Sequence, residues 1–78
     1  MEKYEFETED LSYVDIEERV LRYYGLGYPQ SSNFNELKEG VNKGLYIQGE
    51  GKDITFTAIV GKKPDKGYIV TISPERIS

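Results

Sequence analysis

The chain has 78 residues with 14 acidic and 10 basic side chains, and it contains no cysteine and no histidine. A folded chain of this size hides only about 63% of the surface that its extended form exposes, so it can build one small core. The missing residue types exclude disulfides, thiol nucleophiles, zinc sites of Cys or His, and Ser-His-Asp or Cys-His catalysis within this chain. We therefore expect one compact domain over residues 1–78, not an enzyme, with no cofactor and no metal.

The hydropathy pattern predicts a protein outside the membrane. The longest apolar run covers only residues 58–60, whereas a membrane-spanning helix needs about 18 residues or more. The first residues do not resemble a signal peptide. We expect a cytoplasmic protein with no membrane partner, and its small size, net acidity and many tyrosines are typical of phage or mobile-element proteins.

The charge is distributed unevenly along the chain. Residues 1–39 carry ten acids and four bases, and residues 40–78 carry four acids and six bases. This asymmetry predicts an acidic surface in the first half, which would attract a basic partner and repel nucleic acid. The carboxylates lack the spacing of a calcium loop, so we expect no metal among them.

The first half of the chain predicts a strand and then a helix. Tyr4, Phe6 and Thr8 alternate with charged residues, which is typical of a strand buried on one face. A helix is expected to begin at Tyr13, because Ser12 is a good N-terminal cap, and to end at Gly25. Its apolar positions recur at helical spacing, so one side of this helix should face a core.

The second half predicts a short helix followed by a sheet. Asn33 and Glu36 form a capping-box pattern ahead of Phe34, Leu37 and Val41, which indicates a helix over about 34–42. Three runs of period two then predict consecutive antiparallel strands over 45–48, 54–60 and 68–72, with the chain leaving the sheet at Pro74. The expected fold is α+β, in the order β-α-α-β-β-β. Two helices would pack on an antiparallel sheet that ends in a three-stranded meander.

These patterns favour protein interaction as the function. A non-enzymatic module would dock a basic partner on an acidic, tyrosine-bearing surface, as inhibitors, immunity proteins and antitoxins do. A tyrosine can bury its ring against a partner while its hydroxyl stays hydrated. Tyr24 and Tyr28 are therefore the aromatic residues expected to anchor the partner. Spaced carboxylates resemble the phosphates of a duplex, so the partner could be a nucleic-acid-binding protein that accepts a DNA mimic. The acidic contact residues are expected to be Glu5, Glu7, Glu9, Asp10, Glu17 and Glu18.

Two alternatives belong to other classes of function. Ile59 and Ile69 would lie on the second face of the sheet, where their apolar side chains favour a structural subunit that forms a homo-oligomer. The basic second half would favour nucleotide or nucleic-acid binding, but no aromatic residues are interleaved among its bases, which argues against direct binding. These bases are Lys52, Lys62, Lys63, Lys66 and Arg76.

Overall fold

The structure, a computed structural model, describes residues 2–40, 42–49 and 52–77. Its five strands form one antiparallel sheet in the order β1-β5-β4-β3-β2. One α-helix connects β1 to β2, which lie at opposite edges of this sheet. The elements are β1 (Tyr4–Thr8), α1 (Tyr13–Tyr24), β2 (Ser31–Ser32), a 3-10 helix (Phe34–Glu36), β3 (Asn42–Gly49), β4 (Lys52–Lys62) and β5 (Tyr68–Ile77).

The predicted fold of two helices in the order β-α-α-β-β-β is wrong. In place of the helix over 34–42, the described residues form a 3-10 helix of only three residues, Phe34–Glu36. The next residue, Leu37, has an extended backbone, so the helix stops there. Gly40 adopts a φ of 72° and donates its N–H to the Val60 carbonyl oxygen at 2.8 Å, so this N–H is used by the sheet. Val41, which we placed on the apolar side of that helix, lies outside the described residues.

Helix α1 begins and ends at the expected residues. The Ser12 hydroxyl accepts the Asp15 N–H at 3.5 Å, and Gly25 closes the helix with a φ of 68°. Leu26 then donates its N–H to the Leu21 carbonyl oxygen at 2.8 Å, which completes a Schellman-type end. Ile16, Val20 and Leu21 are the buried side chains of the helix.

Strand β5 continues past Pro74, contrary to the prediction that the chain leaves the sheet there. Pro74 pairs with Phe56 and Arg76 pairs with Thr55, so Glu75 is an extra residue in a β-bulge. Proline is tolerated in sheets at bulges and at unpaired edges. Pro74 meets both conditions. It lies next to the bulge at Glu75, and its other side is unpaired because the last pair between β1 and β5 is Tyr4 with Ile72.

The two faces of the sheet differ in what lies against them. The inner face packs with α1 and the 3-10 helix around one core. On the outer face Ile59 is 49% exposed, and no helix of the described chain packs there. The buried core residues are Phe6, Ile16, Val20, Leu21, Phe34, Leu45, Ile47, Ile54, Phe56, Ala58, Val60, Val70 and Ile72.

The side chain of Asn33 extends the two-residue strand β2 along β3. Its amide oxygen accepts the Tyr46 N–H at 2.7 Å, and its amide nitrogen donates to the Gly44 carbonyl oxygen at 3.1 Å. Both backbone groups lie on β3 beyond its last pair with β2, which is Ile47 with Ser32. The amide therefore pairs part of an edge that β2 is too short to reach, which protects it from pairing with another chain.

Replacing Asn33 with alanine should lower the free energy of unfolding by about 2 kcal/mol, since each of the two lost hydrogen bonds contributes about 1 kcal/mol. Asn33→Asp should cause a smaller loss because it keeps the acceptor for Tyr46. Urea denaturation measures both changes, and Asn35→Ala is the matched control, since Asn35 is exposed in the 3-10 helix. Equal stability of the two alanine variants would contradict this role.

Candidate functional site

The loop between α1 and β2 carries the most exposed aromatic residue of the described chain. Tyr28 is 89% exposed. The loop backbone is held at both ends, by the bond from Leu26 to Leu21 and by a bond from the Gln30 N–H to the Gln48 carbonyl oxygen at 2.8 Å. The exposed ring is thus presented on a segment anchored to both the helix and the sheet.

Close packing against β3 also holds this loop in place. A Cβ atom built on Gly49 would lie 3.3 Å from the Pro29 Cα atom and 3.4 Å from the Gln30 nitrogen. Glycine therefore lets the loop lie directly on the end of β3. A small cleft remains beneath the loop, with Ile47 and Ile54 among its lining residues.

A groove lies beside Tyr28, between the loop and α1. It is lined by the apolar side chains of Leu21 and Leu26, by Tyr28, and by the charged side chains of Glu18 and Arg22. The Glu18 carboxylate accepts a hydrogen bond from the Arg22 guanidinium at 2.7 Å, and both side chains are more than half exposed. An incoming side chain would meet apolar, aromatic and charged groups within one groove.

Glu17 lies on the same flank of α1, facing β2. Its carboxylate accepts a hydrogen bond from the Ser32 hydroxyl, which links the helix to the edge strand. Of the predicted contact residues, Glu18 and Tyr28 line the groove, and Glu17 precedes Glu18 on α1. We call Glu17, Glu18, Leu21, Leu26 and Tyr28 the Tyr28 surface.

Tyr24, the other predicted anchor, is half-buried and packs inside the molecule. Its hydroxyl donates to the Glu2 carbonyl oxygen at 2.5 Å, and its ring lies 5.6 Å from the ring of Phe56. Burial is the main cause that raises the pKa of the Tyr24 hydroxyl above 10.0, and the neighbouring charges of Tyr23, Glu2 and Tyr4 add to it. Tyr24 supports the core from this position and offers little ring surface to a partner.

The acids of the β1 region lie elsewhere and are mixed with bases. Glu5 and Glu7 are exposed on the outer face of β1, and Glu7 forms an ion pair with Lys63. Glu9 and Asp10 follow in the turn after β1, and one depression there is lined by both acids and bases. The structure thus divides the expected acidic surface between β1 and the β2 side of α1. The residues that line this depression are Glu7, Thr8, Glu9, Arg19, Lys63 and Lys66.

Sequence reasoning missed a cluster of tyrosines and arginines at the β1 side of α1. The rings of Tyr4 and Tyr23 stack with centroids 3.9 Å apart and planes 8° apart. Arg19 lies over the ring of Phe6, with 5.1 Å between its guanidinium carbon and the ring centroid. The sequence does contain a signal for part of this cluster. Arg19, Arg22 and Tyr23 are spaced i, i+3, i+4, which places them on one side of a helix.

Two classes of site are missing from the part of the chain that the structure describes. Within residues 2–40, 42–49 and 52–77, no three acidic side chains are grouped so that they could hold a metal ion. Over the same ranges, no helix combines the length and the apolar character needed to cross a membrane. Comparison of the chain with protein-family models, curated proteins and solved structures found no match.

Proposed function

We propose that the chain is a non-enzymatic protein-interaction module that docks a basic partner on the Tyr28 surface. The observation that carries this proposal is the 89% exposure of Tyr28 in a groove that is also lined by Leu21, Leu26 and the Glu18–Arg22 ion pair. Exposed aromatic side chains next to apolar pockets are the usual anchors of protein interfaces. A tyrosine also keeps a hydroxyl that can remain hydrated at the edge of the contact.

The anchored loop favours binding by Tyr28. Ordering a free loop on association costs free energy, and a loop already held in place avoids much of this cost. The bonds at Leu26 and Gln30 and the close approach to Gly49 provide that order before the partner arrives. The affinity should therefore depend on the Tyr28 ring and on the position of its loop.

The carboxylates of this surface support a partner of positive charge. Glu18 lines the groove, Glu17 is the preceding residue of α1, and the whole chain carries a net charge of −4. Charges at the rim of an interface mainly raise the association rate, whereas the aromatic anchor slows dissociation. Candidate partners are basic proteins that an inhibitor, immunity protein or antitoxin would bind, including a nucleic-acid-binding protein that accepts carboxylates in place of phosphates.

Affinity capture from a lysate at low and high salt, followed by mass spectrometry, would identify the partner. Tyr28→Ala should weaken its binding by about 2 kcal/mol or more, which is about 30-fold. The matched control is Tyr13→Ala, because Tyr13 is also an exposed tyrosine, on α1, at 48% exposure. Reversing the charge of Glu17 and Glu18 should slow association at low salt. Equal binding of the two tyrosine variants would refute the proposed site.

A second candidate function is self-association through the outer face of the sheet. Ile59 is 49% exposed there, Ile69 lies on the same face of β5, and no described helix covers them. A second copy would remove Ile59 from water. Light scattering should then show a mass that rises with concentration and falls in Ile59→Lys, and a monomer at all concentrations would exclude this candidate.

A further inference from the structure

A shallow depression on the β1 side of α1 combines two aromatic rings with two cations. It is lined by Tyr4, Arg19, Arg22 and Tyr23. Tyr4 comes from the edge strand and the other three residues come from α1, so the fold alone brings these groups together. None of the described residues that line it is acidic, and the nearest acid known to contact them is Glu18, which pairs with Arg22.

The rings form a firm platform. Tyr23 stacks on Tyr4 at 3.9 Å, and the ring of Tyr24 supports it edge-on with centroids 4.9 Å apart. One face of the Tyr23 ring is covered by Tyr4, and the residue is still 46% exposed, so part of it is accessible to a ligand. A planar ligand can stack on the accessible part of the ring.

Basic side chains lie beside the two rings and also in the neighbouring depression. The Arg22 side chain is 79% exposed, and its hydrogen bond to Glu18 leaves further guanidinium donors available. Arg19 also lines the neighbouring depression, which holds Lys63 and Lys66. That depression is also lined by Glu7 and Glu9, but Glu7 is paired with Lys63, and the three bases outnumber the two acids.

We propose that this region binds single-stranded nucleic acid. A base stacks on the accessible part of the Tyr23 ring, and the phosphates on either side of it contact Arg19 and Arg22. Stacking on an aromatic ring beside a cationic groove is the usual mode of single-strand binding. Two adjoining depressions accommodate more than one phosphate, so an oligonucleotide binds more tightly than a mononucleotide.

The proposal reverses the expectation drawn from the sequence. The sequence disfavours direct binding for two reasons: the first half is acidic, and the bases of the second half are not interleaved with aromatic residues. The fold supplies that interleaving from the first half, by placing Tyr4 and Tyr23 beside Arg19 and Arg22. This site adjoins the Tyr28 surface, because Arg22 lines both depressions and forms an ion pair with Glu18.

Fluorescence anisotropy at low salt, with a labelled oligothymidylate of about 12 nucleotides, tests the proposal. Binding should weaken as the salt concentration rises. Tyr23→Ala should weaken binding about tenfold, whereas Tyr23→Phe keeps the ring and should bind within about twofold of the original chain. Tyr13→Ala is the control for loss of an exposed tyrosine from α1 and should leave binding unchanged.

Amide chemical shifts of the unmodified chain give a test that does not depend on how the variants fold. On titration with the oligothymidylate, the shifts should change at Tyr4, Arg19, Arg22 and Tyr23. Thymidine monophosphate should perturb the same residues at higher concentration, and affinity equal to that of the oligonucleotide would assign the site to free nucleotides. No perturbation, perturbation elsewhere, or equal binding of polyglutamate would overturn the proposal.

Discussion

Replacing Phe56 with alanine should lower the free energy of unfolding by about 4 kcal/mol, because a large buried ring is lost and a cavity remains. Phe56 is fully buried at the centre of the inner face of the sheet, where Leu45 is its partner on β3. Its ring contacts the rings of Tyr24 and Phe34 at centroid distances of 5.6 and 6.5 Å. It therefore joins the sheet, α1 and the 3-10 helix in one core.

Such a loss is a large part of the stability of a small domain, which is typically about 5–15 kcal/mol. Urea denaturation followed by circular dichroism would measure it. Ile59→Ala is the matched control, because Ile59 lies on the same strand but faces solvent, and it should change stability by only about 0.5 kcal/mol. Similar losses for both variants would mean that the core is not organised around Phe56.

Replacing Gly67 with alanine should lower the free energy of unfolding by about 2–3 kcal/mol, because this position combines backbone strain with a close contact. Gly67 has a φ of 91°, a backbone conformation that residues with a Cβ atom rarely adopt. An added Cβ would lie 2.7 Å from the Thr8 carbonyl oxygen and 3.3 Å from the Glu9 Cα atom. Both neighbours are backbone atoms, so the turn between β4 and β5 would have to move away from the end of β1.

Thermal or urea denaturation measures this effect, and Gly61→Ala is its control. Gly61 lies in β4, and an added Cβ there would have its nearest neighbour, the Ile69 carbonyl oxygen, at 4.0 Å. The control should be close to neutral. If Gly67→Ala were equally neutral, the turn would not be held against the end of β1 as described.

The features that sequence reasoning recovered depend on neighbouring residues. The limits of α1 follow from Ser12 and Gly25, whose capping bonds join residues within one or two helical turns. The exposure of Tyr28 follows from its place in a loop that glycine and proline prevent from becoming a helix. These signals are local, so they can be read without knowing the fold.

The features that sequence reasoning missed depend on contacts between residues that are far apart in the sequence. Asn33 was expected to cap a helix, but its amide instead pairs with the backbone of β3. Tyr24 was expected at the surface, because the helix alone does not decide which of two adjacent tyrosines turns inward. The contact of Tyr24 with Phe56 decides this. Predicting such contacts requires the strand order, which a single sequence does not reveal.

The pairing of β1 with β5 has a consequence for how the molecule is assembled. Tyr4 pairs with Ile72, so the first strand of the described chain can join the sheet only by pairing with the last strand. During synthesis the residues of β1 emerge early and have to wait, unpaired, until β5 is available. Pairings between residues so far apart in sequence slow folding. The tyrosine platform of Tyr4 and Tyr23 is therefore completed only after β5 has joined the sheet.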